Sequence, residues 1–430
     1  MDVSNLVEES NDRFRVSSKL YSSPEIFDQE MRDIFGSTWV YLAHESQLPD
    51  SGDYITTTIG IQPVIVTRLE DQSIAVLLNR CAHRGAVVCR EGRGHADTFR
   101  CPYHAWVYAN DGRLVAPAQR TGYPEEFQSW NLNLDRVPRV ETYRGLIFAC
   151  ISSEVEPLSQ RLRHIKRYID AWDDRSPSGH TSVFAAVQEY VFPGNWKFQM
   201  ENGVDGYHGN YVHESFAKLL DRSGELSLGS LTRSRNQLGS LNFSKGFPYG
   251  DGLLERSEGM LGTFDSSRYP KYREQLKDAF GEERAKDIVI QRNIFIFPNL
   301  YLFESHIRVI RPLKHDSSVV EVYPTILGGA DKEVNSARLR EHERFFGPAS
   351  FGATDDIEMF VSAQSGARAD YFEAWFDMSR GLYREKLNED GSRVGHSTDE
   401  VPQRAAYRQW CVCMTRELGG KGIDKRGVAS

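Results

Sequence analysis

Between Pro24 and Phe35 the apolar residues Phe27, Met31, Ile34 and Phe35 fall on one face of a helix. The flanks agree, with Ser23 as N-cap, proline at the first helical position and Gly36 at the end. From Trp39 to about Ile151 the pattern changes to short β-rich runs such as Pro63-Val-Ile-Val-Thr, Ile74-Ala-Val-Leu-Leu and Gly145-Leu-Ile-Phe-Ala-Cys-Ile, punctuated by turn signals including Asn110-Asp111-Gly112. This predicts a compact all-β module. Helical periodicity returns over Leu158–Trp172, Asn195–Phe216, Tyr269–Phe280 and Asp355–Leu382, with strand-like segments Thr181–Tyr190, Ile294–Ile310 and Val319–Ile326 between them. That part reads as α+β, and the glycine- and charge-rich tail after Leu418 as loose.

The β module carries Cys81-Ala-His83, then seventeen residues, then Cys101-Pro-Tyr-His104-Ala-Trp. Each pair offers one sulfur and one nitrogen from a tight loop, which suits a [2Fe–2S] cluster with cysteines on one iron and histidines on the other. A structural zinc site uses the same ligand types, but zinc fingers usually keep their cysteines together and their histidines together. The alternating order argues against zinc. Cys89 and Cys150 read as small core residues, and Cys411 and Cys413 as an unpaired set.

A second constellation lies in Asn195-Trp-Lys-Phe-Gln-Met-Glu-Asn202-Gly-Val-Asp205-Gly-Tyr-His208-Gly-Asn-Tyr-Val-His213. On an unbroken helix the two histidines would point about 140° apart. To meet on one ion the helix must break, and Gly203, Gly206 and Gly209 supply the weakness. Downstream, Phe345-Phe346-Gly-Pro-Ala-Ser-Phe351-Gly-Ala-Thr-Asp355-Asp356 places two carboxylates at an expected helix start. Asp355 with Glu358 makes a plausible capping box, which leaves Asp356 for a metal. Two imidazoles and one carboxylate on a face of Fe(II) leave adjacent positions open, as oxygen-activating non-haem iron enzymes require.

Length and charge narrow the partners. A chain of 430 residues exceeds one ordinary core. With 60 acidic against 52 basic residues and a net charge of −8, nothing favours nucleic acid. The N-terminal residues lack a signal-peptide pattern, no apolar run approaches membrane-spanning length, and six scattered cysteines do not make a disulfide framework, so a cytoplasmic protein is expected. No Gly-x-Gly-x-x-Gly opens a βα unit, and Gly419-Gly-Lys-Gly422 lacks the context of a phosphate loop. No dinucleotide site for taking hydride is therefore expected on this chain.

Taken together, the Cys-x-His…Cys-Pro-Tyr-His-Ala-Trp, Asn-Trp-Lys…Glu-Asn-x-x-Asp-x-Tyr-His-x-x-x-x-His and Phe-Gly-Pro…Asp-Asp motifs resemble, in order, those of the α subunits of Rieske non-haem iron aromatic-ring-hydroxylating oxygenases. The resemblance spans nearly the whole chain. It implies a Rieske module, residues 39–155, inserted in an α+β catalytic domain of antiparallel sheet and helices made of residues 1–38 and 156–430. Cys81, His83, Cys101 and His104 would hold the cluster, and His208, His213 and Asp356 the mononuclear iron. Asp205 would be the electron bridge from His104 of one chain to His208 of the next, in a head-to-tail trimer.

The family likeness and nearness to the ligands suggest Asn202, Val204, Phe346 and Phe351 as pocket wall. The stretches Trp39-Val-Tyr-Leu-Ala-His-Glu-Ser-Gln-Leu-Pro and Asp53-Tyr-Ile-Thr-Thr-Thr-Ile-Gly resemble the benzoate, anthranilate and salicylate oxygenases, with the aniline enzymes also similar. Gly352 departs from the naphthalene branch, which has a bulky aromatic there. The implied reaction is addition of O2 to an aromatic acid or amine, giving a cis-dihydrodiol or catechol, with a reductase, with or without a ferredoxin, and a small β subunit in an α3β3 assembly as partners. A Rieske monooxygenase or demethylase, or an electron carrier with the cluster alone, are the alternatives. An acid substrate would need a cation in the pocket. Arg308 and Arg311 lie on one predicted strand at opposite parity, so at most one faces inward.

Overall fold

The computed structural model describes residues 5–183, 187–224, 242–256 and 264–416; the tail after Leu418, with Gly419–Gly422, lies outside them. The first helix forms as its caps predict, over Pro24–Glu30, with the Ser23 side chain accepting from the Ile26 amide. Its last turn widens into a π-helix, Met31–Phe35. A Cβ on Gly36 would come within 2.6 Å of the Arg32 carbonyl oxygen, so only glycine fits there.

The next region is all-β. Four strands pair in the order Ile74–Leu78, Gln62–Arg68, Asp53–Ile59, Arg93–His95, and a smaller sheet joins Thr98–Arg100, Val107–Ala109 and Leu114–Ala116. Between them sits a separate apolar core in which Cys81, Cys89 and Cys101 pack with Phe99, Trp106 and Tyr108. Val40–His44, Leu146–Cys150 and Arg139–Tyr143 make a third sheet that anchors the module. Asn299, on the far side, accepts from the Tyr41 amide at 3.1 Å and donates to the Tyr41 carbonyl at 3.0 Å.

The remainder is built on a ten-stranded antiparallel sheet whose centre is Ser317–Leu327, His306–Lys314, Leu300–Leu302, Gln291–Ile296 and Gly252–Arg256. The two-residue period of His306–Lys314 divides the interior. Ile307 and Val309 enter a core shared with the helices Leu158–Arg161 and Lys166–Asp173. Ile310 enters the opposite core, shared with the helices Trp196–Asn202, Phe351–Ala367 and Val401–Met414. The α+β class is as expected. Among the described residues no helix is long and apolar enough to cross a membrane.

Two local expectations fail, and one helix is invisible in the pattern. The helix expected over Asp355–Leu382 runs from Phe351 to Ala367, and the N-cap is Ser350, whose hydroxyl accepts from the Ala353 amide. Asp355 and Asp356 thus lie inside the helix, and the Asp355/Glu358 pattern only mimics a capping box. The segment read as one helix over Leu158–Trp172 is broken into two. The charged helix Lys332–Phe345 had no clear apolar stripe to reveal it, because its buried positions include Asn335, Arg338 and His342.

Candidate metal centres

Cys81 and Cys101 are buried, whereas His83 and His104 are half-buried, so the four donors line a tip whose nitrogen side approaches the surface. Each cysteine sits in a tight turn: the Gly85 amide donates to the Cys81 carbonyl, and the Ala105 amide to that of Cys101. Ala105 takes φ +57°, in the left-handed region, which bends the second loop back under His104. The His83 and His104 rings are 4.5 Å apart, and Trp106 stacks on His83 at 4.9 Å. Cys81 Sγ lies 3.2 Å from the Tyr108 hydroxyl. Burial raises the Cys101 thiol, so metal binding there must displace its proton, whereas burial with the nearby His104 and Arg84 lowers His83 and favours the neutral imidazole that binds a metal.

The donor set fits an iron–sulfur cluster. His83 Nδ1 is buried with no hydrogen-bond partner, leaving a lone pair aimed inward. The Cys101 thiol interacts with Cys81, and the two imidazoles face each other at 4.5 Å, a pairing that suits cysteines on one iron and histidines on the other.

The second centre forms where a helix stops. Trp196–Asn202 ends at Gly203, an irregular stretch follows, His208–Asn210 is a short 3-10 turn, and a new helix, Glu214–Arg222, begins after His213. Close approach dictates glycine here: a Cβ on Gly203 would meet the Tyr301 ring at 2.5 Å, and one on Gly206 the Ser397 carbonyl oxygen at 2.1 Å. The break lets both imidazoles turn to one point. His208 Nε2 and His213 Nε2 lie 3.5 and 3.3 Å from Asp356 Oδ1, which comes from the facing helix. Among the described residues these three are the group whose donor atoms converge within 4.8 Å.

The donors behind and beside them matter too. Asp356 Oδ1 is buried without a hydrogen bond, a costly arrangement unless an ion completes it. Burial alone would raise the Asp356 carboxyl, but His213, His208 and Arg308 hold it below the ordinary range. Burial opposes charge on His208 as well, yet the carboxylates of Asp205 and Asp356 raise its pKa. Asp205 Oδ2 stands 3.1 Å from His208 Nδ1, while its other oxygen accepts from the Tyr207 amide at 2.5 Å. Asp355 Oδ2 lies 3.6 Å from His213 Nδ1. Each histidine thus has a carboxylate at its outer nitrogen, which orients metal-binding rings.

A cleft with about 940 Å³ of empty space, part of it open to solvent, leads to this trio. Asn202 and Phe346 line it, and Asn202 Nδ2 lies 3.3 Å from His208 Nε2. Val204 and Phe351 do not. Val204 points into the core beside Gly252, and Phe351, 49% exposed, stacks outside on Phe216 because it opens its helix. The wall also includes Phe303, Phe345, Asn293 and Arg308, from strands and a helix end far away in sequence.

Comparison with known proteins decides the family. Residues 38–142 match the Rieske [2Fe-2S] domain, and residues 178–410 the catalytic domain of the ring-hydroxylating alpha subunit. The chain belongs to the ring-hydroxylating oxygenase α-subunit family. This α subunit is 36% identical over 380 residues to the 2-halobenzoate 1,2-dioxygenase large subunit of Burkholderia cepacia, covering 86% of this chain and 80% of the relative. It is 32% identical over 389 residues to the anthranilate 1,2-dioxygenase large subunit of Acinetobacter baylyi, covering 86% and 81%. The crystal structure of naphthalene 1,2-dioxygenase with indole bound in the active site superposes with a TM-score of 0.85 at 26% identity, covering 97% of this chain and 95% of that one. The α subunit is accordingly a terminal-oxygenase subunit with a Rieske cluster domain and a mononuclear-iron domain.

Proposed function

We propose that this α subunit adds both atoms of O2 to the ring of an aromatic acid or amine, with His208, His213 and Asp356 holding the mononuclear iron and Cys81, His83, Cys101 and His104 holding the cluster. The observation that carries the reading is the convergence of two Nε2 atoms on Asp356 Oδ1 at 3.3 and 3.5 Å. Iron bound there supplies oxygen activation at positions the protein leaves open. The protein's own work is to orient the imidazoles, through Asp205 and Asp355, and to exclude water with Phe303, Phe345 and Phe346. The aromatic-acid and aromatic-amine substrate class rests on the similarity to the 2-halobenzoate and anthranilate dioxygenase large subunits.

Asp205 is read as the electron bridge. Its side chain is 26% exposed while it faces His208, and Tyr103, beside His104, is 59% exposed, so both ends of a path between chains reach the surface. A head-to-tail α trimer, with a β subunit, follows from that reading. Residues 39–155 are taken as the cluster module, 1–38 and 156–430 as the catalytic domain. A separate reductase, with or without a ferredoxin, passes electrons from NADH, and six unpaired cysteines suit the reducing cytoplasm.

Turnover under ¹⁸O2 with NADH and a partner reductase, using benzoate, anthranilate, salicylate and aniline, is the test. Two labelled oxygens in the first product are expected. One labelled oxygen, or a demethylated product, assigns the chain to the monooxygenases instead.

A further inference from the structure

Arg308 sits in the cleft wall beside the His208, His213 and Asp356 trio. It is only 4% exposed, its Nε is buried with no partner, and among the described residues its guanidinium makes no hydrogen bond or ion pair. The contrast with Arg311, three residues along the strand and on the other face, is direct: Arg311 pairs with Glu321 at 2.5 Å and donates to Thr57. Other buried arginines are matched as well, Arg161 with Asp251 and Arg338 with Glu304. A buried guanidinium without an anion is costly, so one left facing a cleft marks a place for an anionic ligand.

The surroundings reinforce this. The Arg308 Cζ lies 4.5 Å from the centre of the Phe303 ring and 5.7 Å from that of Phe346. Those contacts hold the guanidinium plane without using its N–H donors. Burial keeps His306 neutral, and burial with Arg308 and Arg338 pushes His342 down to about 3. Tyr190 stays protonated, its hydroxyl pushed up by burial to about 12. None of these neighbours supplies a counter-charge. Asp356 is not within ion-pair reach of Arg308, and Arg256, the other cation of the wall, already has partners, Asn293 among them.

We infer that Arg308 is the specificity-determining residue of this cleft, binding the carboxylate of an aromatic acid through its planar fork while the ring lies against Phe303 and Phe346. A guanidinium and a carboxylate match in two parallel hydrogen bonds, a geometry neither an amide nor an amine reproduces. The inference rests on the cleft being the substrate pocket, and it selects acids over amines within the class proposed above.

Titration calorimetry on the iron-loaded protein, with benzoate, benzamide and aniline as probes, reads this without turnover. The wild type should bind benzoate at least tenfold more tightly than benzamide or aniline. Arg308→Gln should weaken benzoate roughly thirtyfold or more and leave benzamide within about threefold, with Arg308→Lys in between. Equal affinity of the wild type for benzoate and benzamide overturns the inference even should the glutamine variant fail to fold, and so does an unchanged benzoate affinity in Arg308→Gln. Labelled-oxygen turnover separates the two readings. Oxidation of neutral arenes with no benzoate preference leaves the oxygenase standing and removes the anchor; benzoate bound through Arg308 with no oxidation of any arene removes the oxygenase and leaves the anchor.

Discussion

Asp355 and Asp356 are chain neighbours with different work. Asp356 offers its Oδ1 to the point where both Nε2 atoms converge, whereas Asp355 faces the outer nitrogen of His213 at 3.6 Å. Removing a ligand and removing an orienting partner differ in size, since the partner typically changes metal affinity 10–100-fold. Asp356→Ala should therefore lose the mononuclear iron outright, and Asp355→Asn should retain it with affinity weakened roughly tenfold or more. Both should keep the visible spectrum of the cluster. Iron content after dialysis against a graded chelator checks the order, and a reversed order would show that the neighbouring carboxylate is the ligand. The sequence alone could assign a ligand role to only one of them, because a short acidic pair at a helix start looks like a cap. Only the position of Ser350 as the true cap shows that both carboxylates are free to face the histidines.

At the scale of elements, the catalytic helices are joined by buried polar groups that no hydrophobic pattern reveals. Glu30, on the helix Pro24–Glu30, accepts from Lys197 Nζ at 2.6 Å and from the Trp196 and Trp410 indoles at 2.8 and 2.7 Å, tying three helices together. Glu30 and Lys197 are both fully buried. Cutting one partner strands the other charge, so Glu30→Ala should cost about 3–5 kcal/mol, while Glu30→Leu with Lys197→Met should cost much less. Urea melts compare them; equal losses would mean that the ion pair adds nothing beyond packing.

Nearby, Glu201 accepts from the Tyr21 hydroxyl at 2.7 Å and from Tyr407, and burial raises its pKa to about 7. Its folded form thus keeps a proton that the unfolded chain releases near 4.5. The stability this gives is full below about pH 4.5 and is lost as the pH rises through 7. Glu201→Gln should flatten the fall in Tm between pH 5 and 7.5, though not abolish it, because burial also raises Glu400 to about 7. An unchanged slope would mean that Glu201 is ionised in the fold. The first helix and the β module were legible because caps and alternation are local signals. The Lys332–Phe345 helix, Val204's turn into the core and the side of the strand that Arg308 faces were not, since each is decided by contacts distant in the chain.

For the whole molecule, the two metal motifs were legible as separate units, but nothing local says which cluster serves which iron. The proposed route runs from His104 of one chain to Asp205 and His208 of the next, with both ends near the surface. This makes a prediction that only an assembly can satisfy. Asp205→Asn should keep both metals and lose product formation, because the residue that orients the two histidines no longer carries charge. His104→Ala should lose the cluster and with it activity, while keeping Asp205 and the mononuclear site. In a head-to-tail ring each junction needs an intact cluster on one side and an intact Asp205 on the other. Randomly mixed chains from equal co-expression would satisfy both at about one junction in four, so activity should return to roughly a quarter of the parent's per chain although neither variant alone is active. Mass measurement of the assembly confirms mixing. If electrons instead passed within a chain, every chain in the mixture would carry one broken half of the path, and no activity would return.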